Sequence, residues 1–391
     1  MGSLSRWLVF LAVFLCIYGS LHLYVLIKVR RALYLEGWSY ILLVVVLAFL
    51  MLAPILARIL DGQGYAISAG LLTWLGYLWM GYLFLFVCIA TPIDIYHLIL
   101  SALQQLLEVD WTGYMLLRRQ SLALVAATAG ALMIYGAVAA HFVPVKRVTL
   151  QSAKIPERLE RVRIVQISDL HLGPMLYPGR LGLILAAIQE AQPDILVSTG
   201  DLLDGPLSDS AEVAQAFHAL SAPMGKYAIT GNHEFYLGLP KAAAFIESAG
   251  FHLLRGTCIP AKEVIAVAGV DDPAGGTAEG LSETELLAKI PPDKFAILLK
   301  HRPLADSAAQ GHFDLQLSGH THNGQIFPFS LVIKLLYPFT AGLYAIGPEA
   351  HLYASRGTGT WGPPIRVFAP PEITVIDLLP ARKVKQEEKP K

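Results

Sequence analysis

Arg163-Ile-Val-Gln-Ile-Ser168 runs straight into Asp169-Leu170-His171, a short apolar stretch that ends on two metal-ligand residue types. Four more runs behave the same way. Asp194 to Thr199 leads into Gly200-Asp201, and Lys226 to Thr230 leads into Gly231-Asn232-His233-Glu234. Phe295 to Lys300 leads into His301, and Asp314 to Ser318 leads into Gly319-His320-Thr321-His322. Short apolar runs of this length read as buried strands, and ligands at their ends meet in one crevice at the carboxyl edge of a sheet. Taken singly, Asp169-x-His171 or Gly200-Asp201 is a common strand-end turn, and alternate residues such as His320 and His322 point to opposite faces of an extended segment. The weight lies in five segments occurring together.

Between the runs the chain has helical spacing: Arg180 to Ala191, Ala211 to Leu220, and Pro240 to Ala249 closed by Gly250. Alternation of this kind predicts an α/β domain with helices on the faces of a largely buried sheet. Beyond Gly250 the runs Glu263–Val270, Phe295–Leu299, Leu315–Leu317, His351–Ala354 and Ile373–Ile376 have fewer helices between them, which predicts a second sheet packed on the first.

The chemistry of such a ligand set is specific. A carboxylate such as Asp201 can bridge two cations, while imidazoles and an amide oxygen complete two shells and leave positions for water and a phosphate oxygen. Two cations about 3.5–4 Å apart polarise phosphorus, acidify a water and hold it in line with the leaving oxygen. His233, next to Asn232 and so directed to the same crevice, is the natural donor of a proton to that oxygen. Asp204, three residues after Asp201, could accept the other ring hydrogen of His233 and fix its tautomer. The expected cofactors are therefore two divalent ions, with Mn, Zn, Fe and Mg all compatible.

Asp-Leu-His at 169–171, Gly-Asp-Leu-Leu-Asp at 200–204, Gly-Asn-His-Glu at 231–234, Lys-His-Arg-Pro at 300–303 and Gly-His-Thr-His-Asn-Gly-Gln at 319–325 resemble the five blocks of the calcineurin-like metallophosphoesterases. The likeness covers roughly residues 160–378, with every block present and in order. The Gly-Gln after the last histidine and the ending Ser355 to Thr374 resemble the membrane-associated bacterial phosphoesterases of the YkuE/YaeI type. The resemblance implies a four-layered α/β/β/α sandwich. It also implies one metal held by Asp169, His171, Asp201 and His322, and a second by Asp201, Asn232, His301 and His320. Asn323 departs from the pattern, standing where glycine is frequent. His218, His252, His312 and His351 fit no block. Gly357 to Pro364 is expected to form a loop near the site, with Arg356 a candidate phosphate contact.

The first third is of another kind. The chain of 391 residues is 54% hydrophobic and 15% charged, and the apolar excess lies before residue 145. Trp7–Ile27, Trp38–Ala57, Ala69–Ala90 and Ser121–Val143 each approach the ~20 apolar residues that cross hydrocarbon. They predict a multi-pass membrane domain over 1–145, a juxtamembrane linker over 146–160, the metallophosphoesterase domain over 161–380 and a charged disordered tail over 381–391. Thr91–Asp110, with Pro92, Asp94, His97 and Glu108, reads as an amphipathic interfacial helix rather than a span. Basic residues flank the spans on both sides almost equally, giving only a small excess for a cytoplasmic catalytic domain at the cell (inner) membrane. Cys258 is alone in the soluble part, so no disulfide reports the compartment. A formal net charge of zero gives no reason to expect a nucleic-acid partner. The partners are then membrane lipids and a phosphoester substrate. Two alternatives stand beside simple phosphoester hydrolysis: pyrophosphohydrolysis of a nucleotide-linked lipid such as UDP-diacylglucosamine, and a catalytically inactive metal-binding membrane sensor. A pure sensor has no use for His233 and Asp204.

Overall fold

The computed structural model describes residues 3–173, 175, 179–205, 209–276 and 282–381. The charged tail expected from residue 381 lies, from 382 onward, outside the described residues. Contacts divide the chain into two compact units, Met1–Val138 with Gly362–Ile365, and Ala139–Trp361 with Arg366–Lys391.

The first unit consists of α1 (Ser3–Leu33), α2 (Gly37–Gly62), α3 (Ala66–Leu107) and α4 (Arg118–His141). Each holds a stretch long and apolar enough to cross a membrane. Small residues let the helices approach: the position a Cβ would take on Gly76 of α3 lies 3.0 Å from the ring of Pro54 in α2. Polar groups facing the bundle are tied across helices. Trp79 Nε1 donates to His22 Nε2 at 2.8 Å, and Lys28 Nζ meets Asp94 at 2.5 Å, with the Tyr24 hydroxyl on the same carboxylate.

The expectation of a separate amphipathic helix over Thr91–Asp110 differs from the structure in extent. The helix does not restart at Thr91; α3 runs unbroken for 42 residues, Pro92 included. Asp94 and His97 each find a partner on another segment while the stretch stays largely exposed, His97 Nε2 accepting from the amide of Leu116 at 3.2 Å.

The second unit holds two six-stranded sheets. The first is ordered β1 (Val145–Ser152), β12 (Ile373–Pro380), β2 (Val162–Ile167), β3 (Ile195–Ser198), β4 (Lys226–Ala228), β5 (His252–Leu253). The second is ordered β10 (Gly342–Ala345), β11 (His351–Ala354), β9 (Leu315–Ser318), β8 (Phe295–Leu299), β7 (Ile265–Gly269), β6 (Thr257–Ala261). Pairing is parallel from β2 to β5 and from β7 through β8 and β9 to β11; β12–β2, β6–β7 and β10–β11 are antiparallel. The inner faces share a core containing Ile164, Val197, Ile229, Val267, Ile297 and Leu317. α5 (Arg180–Ala191), α6 (Ser210–His218) and α8 (Leu239–Ser248) cover the outer face of the first sheet, and α9 (Glu283–Leu287) that of the second. The result is the four-layered α/β/β/α sandwich. Buried on both faces, these strands read as continuous apolar runs rather than alternating ones.

The stretch from 146 to 160 is not a plain linker. Residues 145–152 form β1, in parallel register with β12 from Val145↔Ile373 to Ser152↔Pro380. Its solvated residues, Lys146 and Arg147 among them, hide the strand in the sequence, since only Leu150 is buried. At the other side of β12, Arg163 of β2 lies directly opposite Asp377 and makes a two-pronged bond to it at 2.7 and 3.0 Å.

Candidate metal centre

Every residue expected to hold metal sits at or just beyond the carboxyl end of a parallel strand or in the turn that follows. Asp169 and His171 follow β2, and Asp201 follows β3. Asn232 opens α7 (Asn232–Leu237) after β4, His301 follows β8, and His320 and His322 follow β9. The turns are tight. Asp169, His171 and Asp201 share φ 51°, with His320 at 71° and His322 at 48°, all in the left-handed region. Glycines make the approach feasible: a Cβ on Gly231 would overlap the Asp201 carboxylate, and one on Gly319 the Asp169 carboxylate.

The structure brings these side chains into three overlapping groups: Asp169 with His171 and His322, His171 with Asp201 and His233, and Asp201 with His301 and His320. His171 Nε2 lies 3.1 Å from His322 Nε2, and His320 Nδ1 lies 3.1 Å from His301 Nε2. Asp201 Oδ2 is 3.9 Å from His171 Nε2 and 3.3 Å from His301 Nε2, between the two imidazole pairs. Asn232 Oδ1 is buried with no hydrogen-bond donor to it. Facing imidazole nitrogens beside carboxylates, with an unpaired amide oxygen, are a donor set suited to divalent cations. The residues present therefore fit the metal that the chemistry requires.

The electrostatics agree. Burial favours neutral His301, yet the charge and contact of Asp201, with Asp169 behind it, raise its pKa to about 10. Burial also opposes ionised Asp201, but His301, His171 and His233 hold it well below the usual carboxylate range. Burial lifts Asp169, against the pull of His301, and burial together with the charge of His301 pushes His320 down to about 4. The carboxylates thus favour positive charge on His301, while burial favours the neutral form of His320 and His322.

His233 lies beside the groups, its ring centroid 4.7 Å from that of His171. Its Nδ1 is 2.5 Å from Asp204 Oδ1, which also faces His171 Nδ1 at 3.8 Å. Burial disfavours the imidazolium of His233, but the bond to Asp204 and the charges of Asp201, Asp204 and Glu234 outweigh it and raise the pKa. Tyr236 and Trp361, both exposed, border this ring at 5.5 and 6.0 Å.

Three residues of the site were not singled out from sequence. Glu234, fully buried, accepts four backbone amides: Gly231 at 2.7 Å and Asp201 at 3.0 Å on Oε2, Leu202 at 2.8 Å and Leu203 at 3.2 Å on Oε1. It thereby binds the Asp201 turn to the Asn232 turn. Tyr337 places its hydroxyl 2.8 Å from His320 Nε2, the ring nitrogen turned away from His301. Arg366, fully buried, donates to the carbonyls of His322, Arg356 and Gly359, and its Nη2 is 3.0 Å from His322 Nδ1; burial lowers its pKa to about 9. Arg356, the candidate phosphate contact, donates instead to Glu372 at 2.6 Å.

A family model described as calcineurin-like phosphoesterase matches residues 162–324. A metallophosphoesterase of Aquifex aeolicus is 35% identical over 248 residues, covering 62% of this chain and 95% of that one. The metallophosphoesterase YkuE of Bacillus subtilis is 34% identical over 252 residues, covering 61% of this chain and 86% of that one. A transmembrane protein with metallophosphoesterase domain from Danio rerio is 32% identical over 262 residues, 63% of this chain. There the match spans only 60% of the relative's own length.

Proposed function

The chain belongs to the calcineurin-like metallophosphoesterases, hydrolases of phosphoric esters that use divalent metals, and on that footing we propose that it works as a membrane-anchored enzyme with a binuclear centre and His233 as proton donor. The observation that carries this reading is the meeting of two ligand groups at Asp201, with the His233–Asp204 pair at 2.5 Å beside them. Asp169, His171 and His322 would hold one ion, Asn232, His301 and His320 the other, and Asp201 both. When bound, the ions supply Lewis-acid polarisation of the phosphoryl group and acidify a water.

The remaining work belongs to side chains. Asp204 accepts the Nδ1 hydrogen of His233, which leaves Nε2 to carry the transferable proton. The raised pKa of His233 favours the form that carries that proton, ready for the departing oxygen. His301 Nδ1 donates to the Thr199 carbonyl at 2.8 Å, so its Nε2 is the nitrogen presented to the ligand group. The amide of His233 donates to Asp201 Oδ1 at 2.9 Å, which turns the other carboxylate oxygen, Oδ2, toward the histidines. By this division residues 1 to about 141 form the anchor and residues 145–380 the catalytic domain, β1 included.

His233→Ala tests the proposal. The variant is expected to keep its metal and lose roughly 10²–10⁴ in kcat on alkyl phosphate esters, whose alkoxides need a proton. Nitrophenyl esters, which need little protonation, should lose far less. An equal fall for both ester types, at unchanged metal content, would remove His233 from the role of acid.

A further inference from the structure

α10 (Phe329–Leu336) is a surface helix without an inward face. Six of its eight residues are apolar, none of the eight is buried, and Leu335 and Leu336 are 86% and 65% exposed. The apolar rim continues beyond it. Phe327 and Phe368, both exposed, have ring centroids 6.1 Å apart, and exposed Trp361 is fixed by two backbone bonds to the side chain of Gln325. Contiguous exposed apolar surface of this kind marks an interaction site.

The rim is tied to the ligand loop at both ends of α10. Gly324, two residues after His322, packs on the backbone of Ser330 so closely that a Cβ would not fit. Tyr337, which follows the last turn and whose amide closes it on Ile333 O at 2.9 Å, reaches His320 with its hydroxyl. Whatever covers α10 therefore lies at the crevice.

Charge selects the occupant. From Leu315 to Pro348 the sequence has no Asp or Glu, and Lys334 is its one Lys or Arg. Within that segment no carboxylate stands to repel anionic headgroups, and one cation is present to attract them. Four helices of this chain are long and apolar enough to cross a bilayer, so docking onto that bilayer needs no second molecule to be recruited.

We propose that α10, with Phe327 and Phe368, lies in the bilayer interface, and that it presents the crevice to phosphoesters carried by membrane lipids. The substrate class rests on the phosphoesterase reading above; the docking does not. Aromatic and aliphatic side chains on a short helix with a single lysine suit burial at the headgroup–acyl boundary.

The test uses the full chain with Cys16, Cys88 and Cys258 changed to Ala, reconstituted in phosphatidylcholine–phosphatidylglycerol vesicles. A nitroxide on Leu335→Cys is expected to be relaxed more by oxygen than by an aqueous nickel chelate, and one on Glu247→Cys of α8 to show the reverse. Equal nickel access at the two positions overturns the docking. So does spin–spin broadening at Leu335 that vanishes on dilution with unlabelled chain, which would make the occupant a second copy. In the same vesicles Leu335→Glu with Leu336→Glu should lower kcat/KM about tenfold or more for an acyl-chain-bearing nitrophenyl phosphodiester, while soluble nitrophenyl phosphate stays within about twofold. Insertion without turnover of the lipid-borne ester overturns the substrate class alone; wild-type failure on both esters overturns the phosphoesterase reading, and the nitroxide result stands apart.

Discussion

Glu234→Gln is the most exacting perturbation of the site, because it removes one charge and changes no volume. The carboxylate accepts four amides, two on each oxygen. A glutamine oxygen can still receive two of them, but its NH2 turns two donors toward two donors. Two bonds to a charged acceptor, each about 1.5–3 kcal/mol, are lost, so the expected cost is about 3–6 kcal/mol. For a catalytic unit of this size, about 2–4 °C of Tm per kcal/mol, the lower bound already predicts a fall of at least about 6 °C. Because those amides include Asp201 and Gly231, the fall should come with weaker metal retention. The assay is thermal unfolding of the full chain in detergent, with and without chelator, alongside elemental analysis. A shift below about 2 °C with unchanged metal would refute the claim that Glu234 holds the two turns together.

Asp201→Asn should abolish turnover and deplete bound metal to well below the wild-type complement, since the carboxylate would serve both ions; full retention by elemental analysis would sink the bridging role. Asp377 is opposed by partial burial, yet its bonds to Arg163 depress its pKa, so its contribution is present above the ordinary carboxylate pKa near 4 and fades as pH falls through the lower folded value. Asp377→Asn should thus cost about 1 kcal/mol at pH 7 and progressively less as pH falls below about 4, both in chelator. A Tm gap between variant and wild type that does not narrow as the pH is lowered from about 7 into the acid range would contradict this.

The sandwich was legible because its strands are buried on both faces and end in chemistry, so Arg163–Ser168 and Asp314–Ser318 announce both strand and ligand. What escaped reading depends on partners far along the chain. β1 shows one buried residue in eight and owes its strand to β12, more than two hundred residues away. The polar residues around Asp94 give no local sign that Lys28 and Tyr24 of α1 take its carboxylate. Glu234 looks like an ordinary acid in a helix first turn, and nothing local says that the Asp201 turn points three amides at it. Tyr337 carries no pattern at all.

The five ligand positions in left-handed backbone have a bearing on how this protein would evolve in the laboratory. A residue with a Cβ costs roughly 1–2 kcal/mol in that region, so five together withhold on the order of 5 kcal/mol, comparable with the whole stability of many domains. Glycine at any of these positions would release its share while deleting a ligand. Selection for heat resistance alone would therefore drift toward a sturdier, silent protein, and only a screen that demands turnover at every round would hold Asp169, His171, Asp201, His320 and His322 in place.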